Sequence, residues 1–373
     1  MKPTRKKVLI LSQEPWSFLF LSKQNYAVAL RQKGYEVFFL TFPSKRLGWE
    51  FNISKDPTGH DINLIAYSLP LPHFLMFKAK GLYKIINKLF LKFYLIRGHR
   101  DNPFTLAIDF GLYHYLFNSM NWTGAIKKVF FPVDNSDLLP KRYPGADMIV
   151  SVSDLILNRF KNSSVPVHFL NHGLASEYAE QATKNLVNNT HNYPVPARVR
   201  LGYIGNLNIA FLDKELLKSL ILALPKVDFI FYGKLEKEVD PEWYEFITNH
   251  KNVFFKGQKQ TAELSTLLQE MDGFLLCYSR ECNESISGNS HKILEYLSTG
   301  KVIFTTYIKM YESFKFIEMC PQDARDTFID MVKSGVNNIT TLNIPDMRNE
   351  RIEFSLSNTY INNVNKIESW LGI

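Results

Sequence analysis

The residues best placed for chemistry lie in "SISGNSHKILEYLSTGK" (285–301), where a small polar loop runs into an amphipathic segment stopped by Gly300. Asn289 or Ser290 suits an N-cap, and the spacing predicts a helix from about His291 to Thr299. At about 100° per residue, Ile293 and Leu297 share an inward face, with Leu294 and Tyr296 flanking it. Glu295 points the opposite way, with His291 and Lys292 within about 60° of it. A helix start offers unpaired N–H groups to an anion, and Lys292 adds a full charge there. Glu295 leans toward the same end and has the oxygens to accept from a ribose diol. Diphosphate plus ribose describes a nucleotide. The alternative is a surface helix with its polar face in water, and His291 taken alone reads as a surface histidine.

What is missing narrows the chemistry. No G-x-G-x-x-G follows a strand-like run and no Walker A sequence occurs, so neither a dinucleotide fingerprint nor a P-loop is present. No Asp-x-Asp pair is available for the manganese clamp of a single-domain sugar transferase. No His/Cys group has zinc spacing, and there is no G-x-S-x-G elbow. The parts that remain describe a site needing no metal or other cofactor, built from helix termini and cationic side chains.

The elements that must carry these residues are βα units. The 373 residues fit two domains, and 46% hydrophobic with 14% aromatic content gives each a core. Strand-like runs fall at 8–12, 36–42, 63–69, 104–110, 128–133, 147–152 and 166–171. After an interruption they resume at 199–205, 227–233, 252–257, 273–277 and 301–306, with helical segments at 213–224, 261–270 and 290–299. Runs that are apolar throughout suit strands covered on both faces, hence parallel sheets with crossover helices. The interruption, 176–197, is polar, Asn-rich and ends in two prolines, which suits a linker. The reading is α/β, with two Rossmann-like domains facing a central cleft: residues 1–175 on one side, 198–354 on the other. The cleft is the expected site, because ligands bind beyond the carboxyl ends of such strands. An amphipathic segment, 357–371, with Tyr360, Val364, Ile367 and Leu371 in phase, caps one of the two.

Net charge is +8, which favours an anionic partner. Cys277, Cys282 and Cys320 are few, odd in number and lack metal spacing, as in a reduced, cytoplasmic protein. The first apolar run, "VLIL", is too short for a secretory segment and reads as a buried strand. No run approaches the roughly 20 apolar residues of a membrane span.

"SHKILEYLSTGKVIFTT" resembles the C-terminal-domain signature of GT-B-fold glycosyltransferases, particularly the large retaining group (family 4 type) that uses nucleotide-diphospho-sugars. Other segments are similar in the same order: "RLGYIGNL" (200–207), "NVFFKGQKQTAELSTLLQEMDGFLLCYS" (252–279), "GADMIVSVSDLILNRF", "VHFLNHGLASEY" and the ending "NTYINNVNKIESWL". The resemblance implies that Glu295 binds the ribose hydroxyls, while Ser287, Gly288, Asn289, Ser290, His291 and Lys292 hold the diphosphate. It implies Gly205 and Asn206 against the phosphates, Gln258 beside the base, and a last helix (355–373) returning to the first domain. Two positions depart from the pattern. Ser287 stands where many such enzymes carry a second glutamate, and no cation follows Gly205 before Lys214. Lys234 or Arg280, each just past a strand, is a substitute or else a solvated charge.

The resemblance also places an acceptor at "SQEPW" (12–16), making Glu14 and Trp16 contact candidates and Glu14 a possible base. Asp134, Asn135 and Asp137 in "PVDNSD" follow another strand and either meet the acceptor or cap a helix; His172 in "NHG" reads as a turn residue. Residues 78–100 hold no acid, and Lys80, Lys84, Lys88 and Lys92 recur every fourth position among apolar residues. That is the composition of a helix lying on an anionic membrane; the alternative is a core helix with a wet lysine face. No nucleic-acid-binding motif is present. The expectation is a hexosyltransferase, cytoplasmic and peripheral at the inner membrane face, moving a sugar from a nucleotide-diphospho-sugar to a surface glycan or lipid-linked acceptor. The alternatives are a catalytically silent GT-B scaffold binding a membrane or glycan partner, or a nucleotide-sugar epimerase of the same fold.

Overall fold

The continuous apolar runs become two separate parallel sheets. The structure, a computed structural model, describes residues 5–17, 20–111, 117, 119–136, 139–140, 142–189, 193–279 and 289–373. The chain forms two units, Met1–Asn171 with Tyr360–Ile373, and His172–Thr359.

In the first unit the strands are β1 (Lys7–Leu11), β2 (Glu36–Leu40), β3 (Glu50–Lys55), β4 (Asn63–Ser68), β5 (Leu106–Asp109), β6 (Lys127–Phe130), β7 (Met148–Ser151) and β8 (Val167–Phe169). Their order across the sheet is β3-β4-β2-β1-β5-β6-β7-β8. Ile10 sits at the centre, level with Phe39 on one side and Ile108 on the other. Val8 through Leu11 are buried on both faces, which is why β1 reads as unbroken apolar sequence. The strand order turns back between β1 and β5, so the carboxyl ends of these two strands frame a crevice. The antiparallel edge strand β3 was not among the expected runs. Its sequence, EFNISK, is largely exposed and lacks the apolar signal of a central strand.

The helix Tyr360–Leu371 belongs to this first unit. Tyr360, Val364, Ile367 and Leu371 are buried in one core with Val8, Ile10 and Tyr26. Tyr35 donates to Glu368 at 2.6 Å, Lys33 pairs with the same carboxylate at 2.6 Å, and Asn363 donates to the Asn171 carbonyl at 2.9 Å.

The second unit holds β9 (Arg200–Ile204), β10 (Asp228–Tyr232), β11 (Val253–Phe255), β12 (Gly273–Leu276), β13 (Val302–Thr305) and β14 (Glu318–Met319), all parallel, in the order β11-β10-β9-β12-β13-β14. The reversal here lies between β9 and β12. Residues 176–197, expected as a linker, instead begin with a helix, Ser176–Asn188, whose Tyr178 and Ala182 are buried in the second unit. Two buried residues one turn apart suffice to dock a helix. The Asn- and Thr-rich sequence around them conceals it, because those residues favour turns when considered locally. The helix Pro241–Asn249 was also not singled out, although Asp240 caps it by accepting from the Trp243 N–H at 3.1 Å and Pro241 starts it.

Candidate functional site

The site helix in the second unit runs His291–Leu297. Ser290 occupies the N-cap with extended backbone, but its hydroxyl accepts from Tyr278 at 2.9 Å rather than capping the helix. Ile293 and Leu297 are fully buried, as expected, and Leu294 and Tyr296 join them. Tyr296 fixes the helix on the sheet. Its ring stacks on Phe274 of β12 at 4.3 Å, and its hydroxyl accepts from the Ile204 N–H of β9 at 2.8 Å. The helix is thus tied to both strands of the reversal.

At its far end Gly300 takes φ 77°, and Arg351, with no exposed surface, donates to the Gly300 carbonyl at 3.1 Å and the Phe316 carbonyl at 2.8 Å. Glycine suits position 300 because φ 77° is a conformation other residues rarely adopt, and a Cβ there would also lie 3.1 Å from Ile352 Cδ1.

This placement swings Lys292 over the end of β9. Only 9% of the residue is exposed, and a Cβ on Gly205 would lie 2.6 Å from Lys292 Cε and 3.2 Å from its Nζ. Gly205, at φ 142°, is therefore the residue that lets the lysine cross. The ammonium also lies 5.9 Å from the centre of the Tyr203 ring. No carboxylate among the described residues lies within 4 Å of it. Behind Gly205, Gly233 follows β10, and a Cβ on it would be 1.8 Å from the Gly205 carbonyl oxygen. The Gly233 N–H donates to the Gly257 carbonyl at 2.9 Å, so a glycine stands within two residues of the end of each of the adjacent strands β9, β10 and β11.

One turn after Lys292, burial pushes the Glu295 carboxyl up to about 7, against the opposing pull of the Lys292 ammonium. His291 Nε2 lies 4.0 Å from Glu295 Oε1. His172 is more than the turn residue it read as. It lies 3.3 Å from the Asn289 carbonyl, with its ring 6.0 Å from that of His291. Burial lowers it to about 4, so it is neutral and donates from Nε2 to that carbonyl. Nothing in "NHG" signals this, because the partner is more than a hundred residues away. Asn289 Oδ1 also accepts from the Tyr311 hydroxyl at 3.2 Å.

The other expected residues divide. Asn206 follows Gly205 and accepts at Oδ1 from the Asn208 N–H at 2.9 Å. Gln258 is exposed just beyond Gly257. Lys234 is half-exposed and paired with Glu236 at 2.8 Å, and Lys214 is paired with Asp240 at 2.6 Å. Both ammoniums are thus paired with neighbouring carboxylates, while the Lys292 side chain lies against Gly205 itself. Arg280, Ser287 and Gly288 lie outside the described residues, as do Asp137 and Cys282.

In the first unit Glu14 lies beyond the end of β1 and Asp134 beyond the end of β6. Glu14 forms an ion pair with Lys23 and accepts from Gln13 at 2.9 Å. Burial would raise its carboxyl, but the Lys23 and Gln13 hydrogen bonds win and hold it below the usual range. Asp134 is exposed. Between them, at the end of β5, stands Asp109, fully buried and accepting from the Gly111 N–H at 3.0 Å. Burial and this carboxylate together hold the Tyr143 hydroxyl well above its ordinary value. Asp109 was absorbed into the strand run 104–110. An acid closing an apolar strand was the available signal.

No protein-family model matches the chain, and no curated protein matches it. Solved structures do. A glycosyltransferase from Rickettsia africae ESF-5 is 13% identical and aligns over 99% of this chain and 98% of its own, with a TM-score of 0.65. Anabaena HepE in complex with UDP and glucose is 12% identical over 99% and 100%, at 0.63. The alpha,alpha-trehalose 6-phosphate synthase of Burkholderia multivorans is 10% identical over 98% and 96%, at 0.61. The chain has the GT-B fold: two Rossmann-like α/β units, with the last helix returning to the first.

Proposed function

We propose that this chain is a glycosyltransferase that transfers a hexose from a nucleotide-diphospho-sugar. The observation that carries the proposal is Lys292: a cation nine-tenths buried, with no carboxylate partner among the described residues, lying over a glycine at the strand reversal. A buried charge of this kind is costly unless something neutralises it. A diphosphate does so.

Glu295 then meets the ribose diol, and Gln258, after β11, flanks the base. When the bond from the anomeric carbon to the diphosphate oxygen breaks, the electron pair stays on the diphosphate, and Lys292 stabilises the charge that develops there. With seven residues the site helix adds only a small dipole, so the full charge of the lysine is the larger contribution and supplies what a metal would otherwise bring. The acceptor hydroxyl forms the new bond to the anomeric carbon and gives up its proton. Glu14 and Asp134 of the first unit are the carboxylates offered for that step. The acceptor in this reading is a glycan, lipid-linked or polysaccharide, met at an anionic membrane surface.

HepE was solved with UDP, which makes UDP the first nucleotide to try here. Titration calorimetry with UDP, GDP, TDP and ADP, in chelator and with magnesium, tests the proposal. Micromolar binding of one diphosphate, weakened about tenfold (about 1.4 kcal/mol) by Glu295→Ala, is expected. No binding of any of the four would leave a silent scaffold as the better account. Conversion of the donor without an acceptor would leave an epimerase.

A further inference from the structure

The helix Lys80–Leu91, continued by a wider turn over Lys92–Ile96, has three faces rather than two. Tyr83, Asn87, Phe90 and Leu91 are buried and form the face that docks on the first unit. Lys84, Lys88 and Lys92 form a second. Leu82, Ile85, Leu89 and Phe93 form a third, at spacings of three and four, and are 55%, 58%, 63% and 55% exposed. A core helix needs only the first face and a soluble one has no use for the third. The docked face already accounts for the fully buried residues of this helix, and the outer apolar face stays more than half exposed among the described residues.

The apolar surface continues beyond the helix. Trp49, 60% exposed, stacks on Phe90 at 5.5 Å, and the notch between Trp49, Ile86, Leu89 and Phe93 has a volume of about 300 Å³. Phe74 and Phe77, just before the helix, are also exposed. Beside the lysines runs a groove of about 480 Å³, closed on its other side by Ser119, Asn121 and Trp122.

We propose that this face seats the first unit on an anionic lipid bilayer. Leu82, Ile85, Leu89, Phe93 and Trp49 enter the acyl boundary, while Lys84, Lys88 and Lys92 lie at headgroup depth, with lipid phosphates in the groove beside them. Charge selects this occupant. No acidic residue occurs between Asp61 and Asp101, so the helix and its flanks carry positive charge only. A second copy of the chain would bring one lysine stripe against another, whereas an anionic surface complements it. No helix among the described residues is long and apolar enough to cross a membrane, so the helix lies on the surface. The inference deepens the acceptor side of the proposed function, but its test is independent of nucleotide binding.

The experiment is sedimentation of the full chain with phosphatidylcholine vesicles, with and without phosphatidylglycerol, at low and physiological salt. Binding is expected only with the anionic lipid and is weakened by salt. Replacing Lys84, Lys88 and Lys92 together by Ala lowers it about a hundredfold. Leu89→Asp with Phe93→Asp abolishes it at physiological salt while leaving UDP affinity unchanged; both side chains are exposed, so the fold does not depend on them. Wild-type chain that fails to sediment with anionic vesicles overturns the proposal, whatever the nucleotide result. So does a concentration-dependent dimer that the two aspartates disperse, since the face would then join copies of the chain.

Discussion

Lys23 in the first unit and Lys292 in the second are buried lysines in opposite surroundings; the second unit also buries Lys301, 8% exposed, over the Tyr193 ring at 4.2 Å. Lys23, 2% exposed, has the Glu14 carboxylate against its ammonium. Lys292, 9% exposed, has a glycine under its chain, an aromatic ring nearby and no acid within reach among the described residues. The first arrangement is complete by itself, because the pair offsets its own desolvation. The second has no ion-pair partner among the described residues, and in the proposed reading an anion from outside supplies it. In the proposed reading the first lysine is a structural charge and the second a binding charge, and what sets Lys292 apart from Lys301 is its place over Gly205 at the end of β9.

Opposite responses to the same substitution test this contrast most strongly. Lys23→Met strands the Glu14 carboxylate, which is only about two-thirds buried. It should therefore cost about 2 kcal/mol, less than a fully buried pair, as read by denaturant unfolding. Lys292→Met removes a buried charge that has no ion-pair partner among the described residues and is expected to leave the free protein as stable or more so. It should nonetheless weaken diphosphate binding by about 2 kcal/mol, roughly thirtyfold. Destabilisation by both substitutions alike would erase the distinction.

Gly205→Ala should act on the second unit through geometry alone. The new methyl would meet Lys292 at 2.6 Å in a backbone conformation that disfavours side chains, and the lysine must leave its position. A stability loss of about 1–2 kcal/mol is expected. Diphosphate affinity should fall toward that of the Lys292→Met variant, and the two effects should not add in the double variant. Full additivity would place Gly205 outside the lysine's path.

The smallest effect sharpens the role of Glu295. Hydrogen bonds from ribose hydroxyls favour the ionised carboxylate, and in the free protein that group titrates at about 7. UDP affinity should therefore rise about tenfold between pH of about 6 and about 8, and Glu295→Gln should flatten the profile at the lower affinity. Stability runs the other way. The folded pKa lies above the ordinary 4.5, so folding takes up a proton between 4.5 and about 7, and this group's contribution to stability declines as pH rises through that window. The Glu14 carboxyl, held low, should show no such dependence near neutral pH.

Much of the fold was legible because central parallel strands bury both faces and so appear as apolar runs. Every expected run from 8–12 through 301–306 contains a strand. The two strands that went unread, β3 and β14, are an exposed edge and a two-residue pairing, neither of which needs an apolar run. The helix Ser176–Asn188 was hidden for a related reason: its docking rests on Tyr178 and Ala182, too few to outweigh the polar residues around them.

The site divides along the same line. The sequence by itself determined a helix beginning at His291, expected to reach Thr299 and observed to end at Leu297, with its inward face and with Lys292 and Glu295 along it, because these follow from local periodicity. Tertiary structure decided that Lys292 crosses Gly205, that Lys234 pairs with Glu236 and Lys214 with Asp240, and that His172 meets Asn289. It also decided which apolar residues of the 80–96 helix face the core and which face outward. A side chain's partner depends on which distant strand ends beside it, and only the order of strands in the sheet settles that.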